Sequence, residues 1–435
     1  MTEPVDAAAG RLDEFLVELG TDLIRSSQTV DDVERQLIEI GRVMGVDGLD
    51  VMALPTGLLL ESGTSGRLRP RLRSIRERGL RLDQVEGVDQ LARRAGLGLV
   101  EPADGLAALT SIRGRTPPYG KVVRSVGLGV LAAGFSLALQ PTLTGLAFAL
   151  LLGTAVGAFL AVEVAALAPL TPALMSFVVA LVVFGLDPLY EGENPIRFLI
   201  PPLLIFLPGA KITTGTMELA AGAIVSGASR LMSGLMDLLL LAVAIVAAAT
   251  VIGVPQRDLL DRPAPELGEW TLVPALLLIA LGYRLHSCAP RRAVPWILLV
   301  LAVALTAERV AGLAFDPSIA AFFGAAAMTP VVRAIDRRPN GPRATVLFLP
   351  GFYLLVPGAT GLIDLTASVS PGFSTADLTS TMVTVAAIAL GVLFATAVVD
   401  GVEEMATTWR VRRAVDRTVD HAVDHAVDPA VDHEA

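Results

Sequence analysis

Apolar runs long enough to cross a lipid bilayer follow one another from residue 122 to residue 399. A hydrocarbon core about 30 Å thick requires about 20 apolar residues per helix. Because lipid cannot hydrogen-bond to the backbone, such a chain must form helices or a closed barrel. The chain has 435 residues and is 53% hydrophobic, which is too apolar for a water-soluble protein. The sequence therefore predicts a mainly α-helical integral membrane protein.

The positions of the arginines predict how the chain is oriented. Arginine clusters lie before span one and after spans six, eight and ten, whereas the opposite loops are acidic or balanced. With ten spans, every cluster falls on one side, so the positive-inside rule places both termini in the cytoplasm and the chain in the cytoplasmic membrane. The ten predicted spans are 122–139, 143–162, 170–186, 196–212, 231–251, 270–285, 293–313, 315–332, 345–360 and 382–399.

A Pro-Gly-Ala motif interrupts spans four and nine at matching positions. It occupies residues 208–210 and 357–359, and a second proline lies seven residues upstream in both copies, at Pro201 and Pro350. Proline lacks a backbone donor, so each break should leave unpaired backbone groups at membrane depth, where only protein or a water-filled cavity can cover them. One copy per five spans predicts two inverted five-helix repeats, with a transporter's substrate site at the breaks.

The N-terminal segment is dense in charged residues and predicts a small cytoplasmic α+β domain. Its patterns predict helices at 11–26, 29–44, 82–94 and 102–112, and strands at 49–54, 58–61 and 67–75. Thr29 and Asp32 form a plausible capping box for the second helix. The first residues lack the apolar segment of a signal peptide. The predicted divisions are a disordered N-terminus 1–10, the α+β domain 11–121, the first repeat 122–252, an extracytoplasmic loop 253–269, the second repeat 270–413 and a tail 414–435.

The tail repeats a four-residue unit of the type Ala-Val-Asp-His and is predicted to be disordered. Its histidines, His421, His425 and His433, are interpreted as part of a solvated low-complexity segment rather than as metal ligands. We therefore predict no metal site and no cofactor.

Several classes of chemistry lack the residues that they require. Cys288 is the only cysteine, which excludes an internal disulfide, and no histidine precedes His286, which excludes Ser-His chemistry in the N-terminal domain. The chain has neither a Walker A pattern nor GxGxxG, so ATP-driven pumping is not supported. We expect no catalytic residue and no binding to nucleic acid.

The residues after the first break suit a zwitterion. An amino acid offers a carboxylate, which helix N-termini bind, and an ammonium, which free carbonyls or an acidic side chain accept. The alternative is that the motifs only kink helices for packing and that Lys211 extends to the cytoplasmic interface. The predicted substrate-binding residues are Pro208, Gly209, Thr213, Thr214, Glu218, Pro357, Gly358 and Thr360.

Asp237 is a carboxylate within the predicted fifth span. An unpaired charge there is costly and normally faces a cavity or a partner, so Asp237 is predicted to couple transport to protons. Two alternatives remain open: Asp237 pairs with Arg230, or it lies nearer the end of the span.

The order of these features resembles the threonine/serine exporter family. The resemblance implies export of threonine and serine from the cytoplasm, driven by the proton gradient, and an acidic residue at Glu218; the Ala-Val-Asp-His tail is outside the family pattern. The stretches that match are 50–57, 67–82, 207–210, 218–219, 226–231 and the second copy around Pro357 and Gly358.

The sequence thus predicts a secondary transporter that works by alternating access on a small amino acid, in contact with the lipid bilayer. One alternative is a membrane-anchored enzyme or scaffold whose soluble N-terminal domain is active, and another is a passive channel. Whether the chain forms a homo-oligomer stays open.

Overall fold

The structure is a computed structural model in which the N-terminal domain packs on a helical bundle. It describes residues 3–46, 48–64, 67–75, 79–139, 142–162, 167, 170–186, 195–254, 267–338, 341–355, 383–384, 386–402, 405 and 409. The predicted tail 414–435 and most of the predicted loop 253–269 lie outside these residues.

The N-terminal domain contains helices and one small antiparallel sheet, as the patterns predict. The elements are α1 (Glu3–Arg25), α2 (Val30–Val43), β1 (Leu49–Leu54), β2 (Gly57–Thr64), β3 (Arg67–Ser74), α3 (Leu82–Gly96) and α4 (Pro102–Arg113). Strands β1, β2 and β3 are hydrogen-bonded in that order, and Leu58 and Leu60 of β2 pack into the domain core.

The helix boundaries of this domain follow local chemistry. Thr29 caps α2, because its Oγ1 accepts a hydrogen bond from the Asp32 backbone N–H at 3.4 Å. Helix α1 begins at Glu3, so it includes most of the segment predicted to be disordered. Pro4 suits the first turn of a helix and Ala7–Ala9 have high helix propensity, which explains the extension.

The rest of the described chain consists of apolar helices. Six are long and apolar enough to cross a membrane, and four shorter apolar helices lie at the other predicted spans. The number of ten spans remains a prediction. The helices are α5 (Lys121–Leu139), α6 (Leu143–Leu160), α7 (Thr171–Gly185), α8 (Pro195–Leu203), α9 (Gly209–Ala220), α10 (Ile224–Ile252), α11 (Leu272–Ser287), α12 (Val294–Gly312), α13 (Pro317–Asp336), α14 (Ala344–Leu355) and α15 (Ala386–Val402).

Helices α5 and α11 pack closely against each other. A Cβ atom added at Gly282 would lie 2.2 Å from the backbone nitrogen of Leu131, and one added at Gly134 would lie 2.6 Å from that of Ile279. Glycines therefore let the two backbones approach, as is common between helices in membranes. Because α5 and α11 open the two predicted repeats, this contact joins the two halves of the chain.

The predicted fourth span is divided into two helices. Helix α8 ends at Leu203, a short 3-10 turn covers Leu204–Phe206, and α9 begins at Gly209. The chain reverses between α9 and α10, where Gly222 has a φ of 92°. Glycine adopts this left-handed conformation without strain. In the ninth predicted span, α14 is described as far as Leu355, and Pro357, Gly358 and Thr360 lie outside the described residues.

Candidate functional site at the broken helix

The break between α8 and α9 is centred on Pro208, as the sequence predicts. Leu207 is extended, with a φ of −67° and a ψ of 125°, and α9 starts immediately after Pro208. The Pro208 carbonyl accepts the first hydrogen bond of the new helix, from the Ile212 N–H at 2.9 Å. The amides of the first turn of α9 have no acceptor within their own helix, so the break presents backbone donors at its N-terminal end.

The break packs against α10, which runs antiparallel to α9. A Cβ atom added at Gly234 would lie 2.6 Å from Ile212 Cγ1 and 3.6 Å from Pro208 Cβ. One added at Gly227 would lie 2.5 Å from the carbonyl oxygen of Gly215. Small residues on α10 therefore bring it close to the whole length of α9, and the break lies beside Gly234.

Lys211 and Asp237 form an ion pair beside the break. Lys211 Nζ donates to Asp237 Oδ2 at 2.7 Å, which ties the first turn of α9 to α10. Lys211 is about half exposed and Asp237 is less so. Asp237 is thus paired with Lys211 and not with Arg230, which was the partner considered from the sequence.

The predicted hydroxyl residues lie on α9 in different environments. Thr214 is half-buried, whereas the side chain of Thr213 lies outside the described part of the chain. Thr216 uses its Oγ1 to donate to the Ile212 carbonyl at 3.0 Å. Helix α9 also contacts α14, the helix that leads to the second copy of the motif.

Glu218 lies away from the break, at the contact between α9 and the N-terminal domain. Its buried carboxylate accepts hydrogen bonds from Arg230 Nε at 2.9 and 3.1 Å and from the Val30 N–H at 3.2 Å. Arg230 also donates to the Gln28 carbonyl at 3.4 Å. Burial raises the pKa of the Glu218 carboxyl, and Arg230 and the Val30 N–H partly offset that rise. In this structure the Glu218 carboxylate binds the first turn of α2, and its role in substrate binding stays a prediction.

A second contact joins α3 of the N-terminal domain to the loop between α13 and α14. Asp89, which is buried, pairs with both Arg343 and Arg93. Arg93 Nη2 also donates to the Asp336 carbonyl oxygen at 2.8 Å and to its Oδ1 at 3.1 Å. Burial raises the pKa of the Asp89 carboxyl, and Arg343 lowers it. The N-terminal domain therefore contacts helices of both predicted repeats.

Replacing Arg230 by glutamine should strongly weaken the contact that Glu218 makes with the N-terminal domain. The change leaves the Glu218 carboxylate buried without its cation, which typically costs about 3–5 kcal/mol. We expect the free energy of unfolding, measured by denaturant titration of the purified protein in detergent, to fall by that order.

The matched control is Arg309→Gln, because the partner of Arg309, Glu269, is 81% exposed in its side chain. Loss of this exposed ion pair should lower the free energy of unfolding by less than about 1 kcal/mol. The double variant Glu218→Gln/Arg230→Gln should recover part of the stability. An equal loss of unfolding free energy in Arg230→Gln and Arg309→Gln would contradict the buried ion pair between Glu218 and Arg230.

The fold and the broken helix define a multi-pass membrane protein in which an N-terminal α+β domain packs on the helical bundle. The family model ThrE, described as a threonine/serine exporter, matches residues 14–252. The match covers more than half of the 435 residues, including the N-terminal domain and the helices up to α10. The chain belongs to the ThrE family, as the resemblance predicted, and membership indicates a membrane exporter of amino acids. No curated protein and no solved structure matches the chain.

Proposed function

We propose that the protein is a secondary transporter that exports threonine and serine across the cytoplasmic membrane by alternating access. Family membership supports export of amino acids. The observation on which the site depends is the interruption of the chain at Pro208, packed beside Gly234. Irregular backbone of this kind inside an apolar bundle is typical of transporter binding sites.

The helix contacts support the proposed inverted repeat. In the first half, α8 contacts α5, α6 and α7; in the second half, α14 contacts the matching helices α11, α12 and α13. Helices α7 and α13 also share a sequence pattern, Met-Ser-Phe-Val-Val at 175–179 and Met-Thr-Pro-Val-Val at 328–332. Helices α8 and α14 are thus proposed to be equivalent, with a proline inside each helix, at Pro201 and Pro350.

The substrate carboxylate is proposed to bind at the N-terminus of α9. The free amides and the positive end of the helix dipole favour an anion there. Pro208 and Gly209 shape this end, and Thr213 and Thr214 follow one turn later. Pro357, Gly358 and Thr360 are proposed to supply the equivalent backbone from the second repeat.

Proton coupling is proposed to act through the Lys211 and Asp237 pair. Protonation of the Asp237 carboxylate would remove its charge and weaken its bond to Lys211. Because Lys211 lies in the first turn of α9, that loss would free the break from α10. A proton on Asp237 is therefore proposed to favour a different position of α9.

The N-terminal domain is proposed to regulate transport from the cytoplasm. Its contacts at Glu218 and at Asp336 reach both proposed repeats, whose ends must move relative to each other in alternating access. The domain would therefore stabilise one arrangement of the two halves over the other.

Purified full-length protein in proteoliposomes tests the transport function, with radiolabelled threonine and serine as substrates. Wild-type protein should catalyse saturable flux. Pro208→Ala should lower that flux at least about tenfold, because the change restores a backbone donor and favours a continuous helix. Pro330→Ala, at another proline inside an apolar helix, should retain most of the flux.

Other outcomes would identify the alternatives. Absence of threonine or serine flux would contradict the proposed substrates and favour an enzyme or scaffold whose soluble domain is active. Flux that ignores the proton gradient would favour a passive channel. Full flux in Pro208→Ala would contradict the proposed site while leaving the transport function in place.

A further inference from the structure

Tyr283 of α11 has a buried hydroxyl group without a hydrogen-bond partner. Its side chain is 1% exposed, and its oxygen has no hydrogen-bond partner within the described part of the chain. An unpaired hydroxyl in apolar surroundings is unfavourable, and phenylalanine would fill the same space without that penalty. A tyrosine at this position therefore requires an explanation other than packing.

The hydroxyl lies among helices of both proposed repeats. Tyr283 belongs to the apolar core of the bundle, and its neighbour Gly282 brings α11 against α5. Tyr353 of α14 packs against the same apolar core, and α14 contacts α11. The Tyr353 ring packs edge-on against Phe135 of α5, with 6.4 Å between ring centroids. Helices α5, α11 and α14 thus contribute side chains to one core.

The core that contains Tyr283 also includes residues on both sides of the first break. Leu207, just before Pro208, and Ile212, in the first turn of α9, belong to the same apolar core as Tyr283. Helix α14, which carries Tyr353, also contacts α9. The unpaired hydroxyl therefore lies in the core that packs around the first break.

We propose that the Tyr283 hydroxyl binds the side-chain hydroxyl of threonine or serine and thereby selects hydroxy amino acids. This inference depends on the proposed transport function. The surroundings of Tyr283 are apolar, which suits the neutral hydroxyl and the methyl group of threonine better than a charged group. The carboxylate of the substrate is proposed to bind the backbone amides at the start of α9, so it does not need Tyr283. A site that pairs with a substrate hydroxyl rejects an analogue without one, because its own polar group then stays unpaired.

The test compares threonine with 2-aminobutyrate, which differs only by the hydroxyl group. Both are assayed in proteoliposomes containing full-length protein, as wild type and as Tyr283→Phe. Wild-type protein should prefer threonine at least about tenfold in kcat/KM. Tyr283→Phe should lose most of that preference through slower threonine transport, with 2-aminobutyrate transport nearly unchanged. Its thermal stability should equal or exceed that of wild type, because the removed hydroxyl has no partner.

Tyr119→Phe is the matched control, since the Tyr119 hydroxyl accepts a hydrogen bond from Arg284 at 2.6 Å outside the proposed site. It should keep the preference for threonine. An unchanged preference in Tyr283→Phe, or an equal loss for both substrates, would overturn the proposal while transport itself stands. Wild-type protein that transports neither substrate would overturn the proposed function and this inference together.

Discussion

Gly282→Val should prevent α5 and α11 from packing and should lower the free energy of unfolding by at least about 3 kcal/mol. A Cβ atom at this position would lie 2.2 Å from the nitrogen and 2.5 Å from the Cα atom of Leu131. Both atoms belong to the backbone, so no rotamer change relieves the clash and the helices must separate. The measurement is unfolding of the purified protein in detergent, together with the yield of folded protein.

Gly401→Val provides the control for this substitution. Gly401 lies in α15, and no described atom lies within 4 Å of a Cβ added there. The same change in side chain should therefore cost far less, and valine also has a higher helix propensity than glycine. Similar stability of Gly282→Val and Gly401→Val would show that α5 and α11 do not approach as closely as described.

Asp237→Asn should abolish the dependence of transport on the proton gradient. Asparagine keeps the shape of the side chain but cannot bind and release a proton. We expect gradient-driven accumulation of threonine in proteoliposomes to be lost, because no proton can then move with the substrate through this residue. Exchange of labelled for unlabelled threonine needs no net proton movement, so it should continue.

Glu269→Gln is the matched control, because it removes a carboxylate from an exposed ion pair with Arg309. Gradient-driven accumulation should remain close to that of wild type. Accumulation that persists in Asp237→Asn would contradict the coupling role, and loss of exchange as well would assign Asp237 to substrate binding or folding instead.

Much of the N-terminal domain could be predicted because its signals are local. The predicted strand 49–54 matches β1, and Thr29 caps α2 as the capping pattern indicates. The start of α1 at Glu3 was missed, because an acidic segment with few apolar residues shows no periodicity to extend. Helix propensity, rather than burial, is the signal that could have found it.

The break at Pro208 could also be predicted, whereas the partners of the charged residues could not. The reversal of the chain at Gly222 places α9 and α10 antiparallel, and this brings Lys211 to Asp237 and Glu218 to Arg230. Each pair has one charged residue before Gly222 and one of opposite charge after it, with the Lys211 and Asp237 pair farther from the glycine than the Glu218 and Arg230 pair. That arrangement in the sequence is a signal from which both pairs could have been predicted. The contact of Glu218 with the N-terminal domain could not be predicted in this way, because its other partner, Val30, is distant in sequence.

The sequence by itself determined the membrane class, most elements of the N-terminal domain and the place where a helix must stop, because hydropathy, residue periodicity and the missing donor of proline act locally. The tertiary structure decided which helices meet and which charges pair. It alone leaves the Tyr283 hydroxyl unpaired among the described residues of the core and brings Glu218 to the first turn of α2. Such contacts depend on how closely glycine-lined helices approach, and that distance is set by the complementary surfaces of both partners.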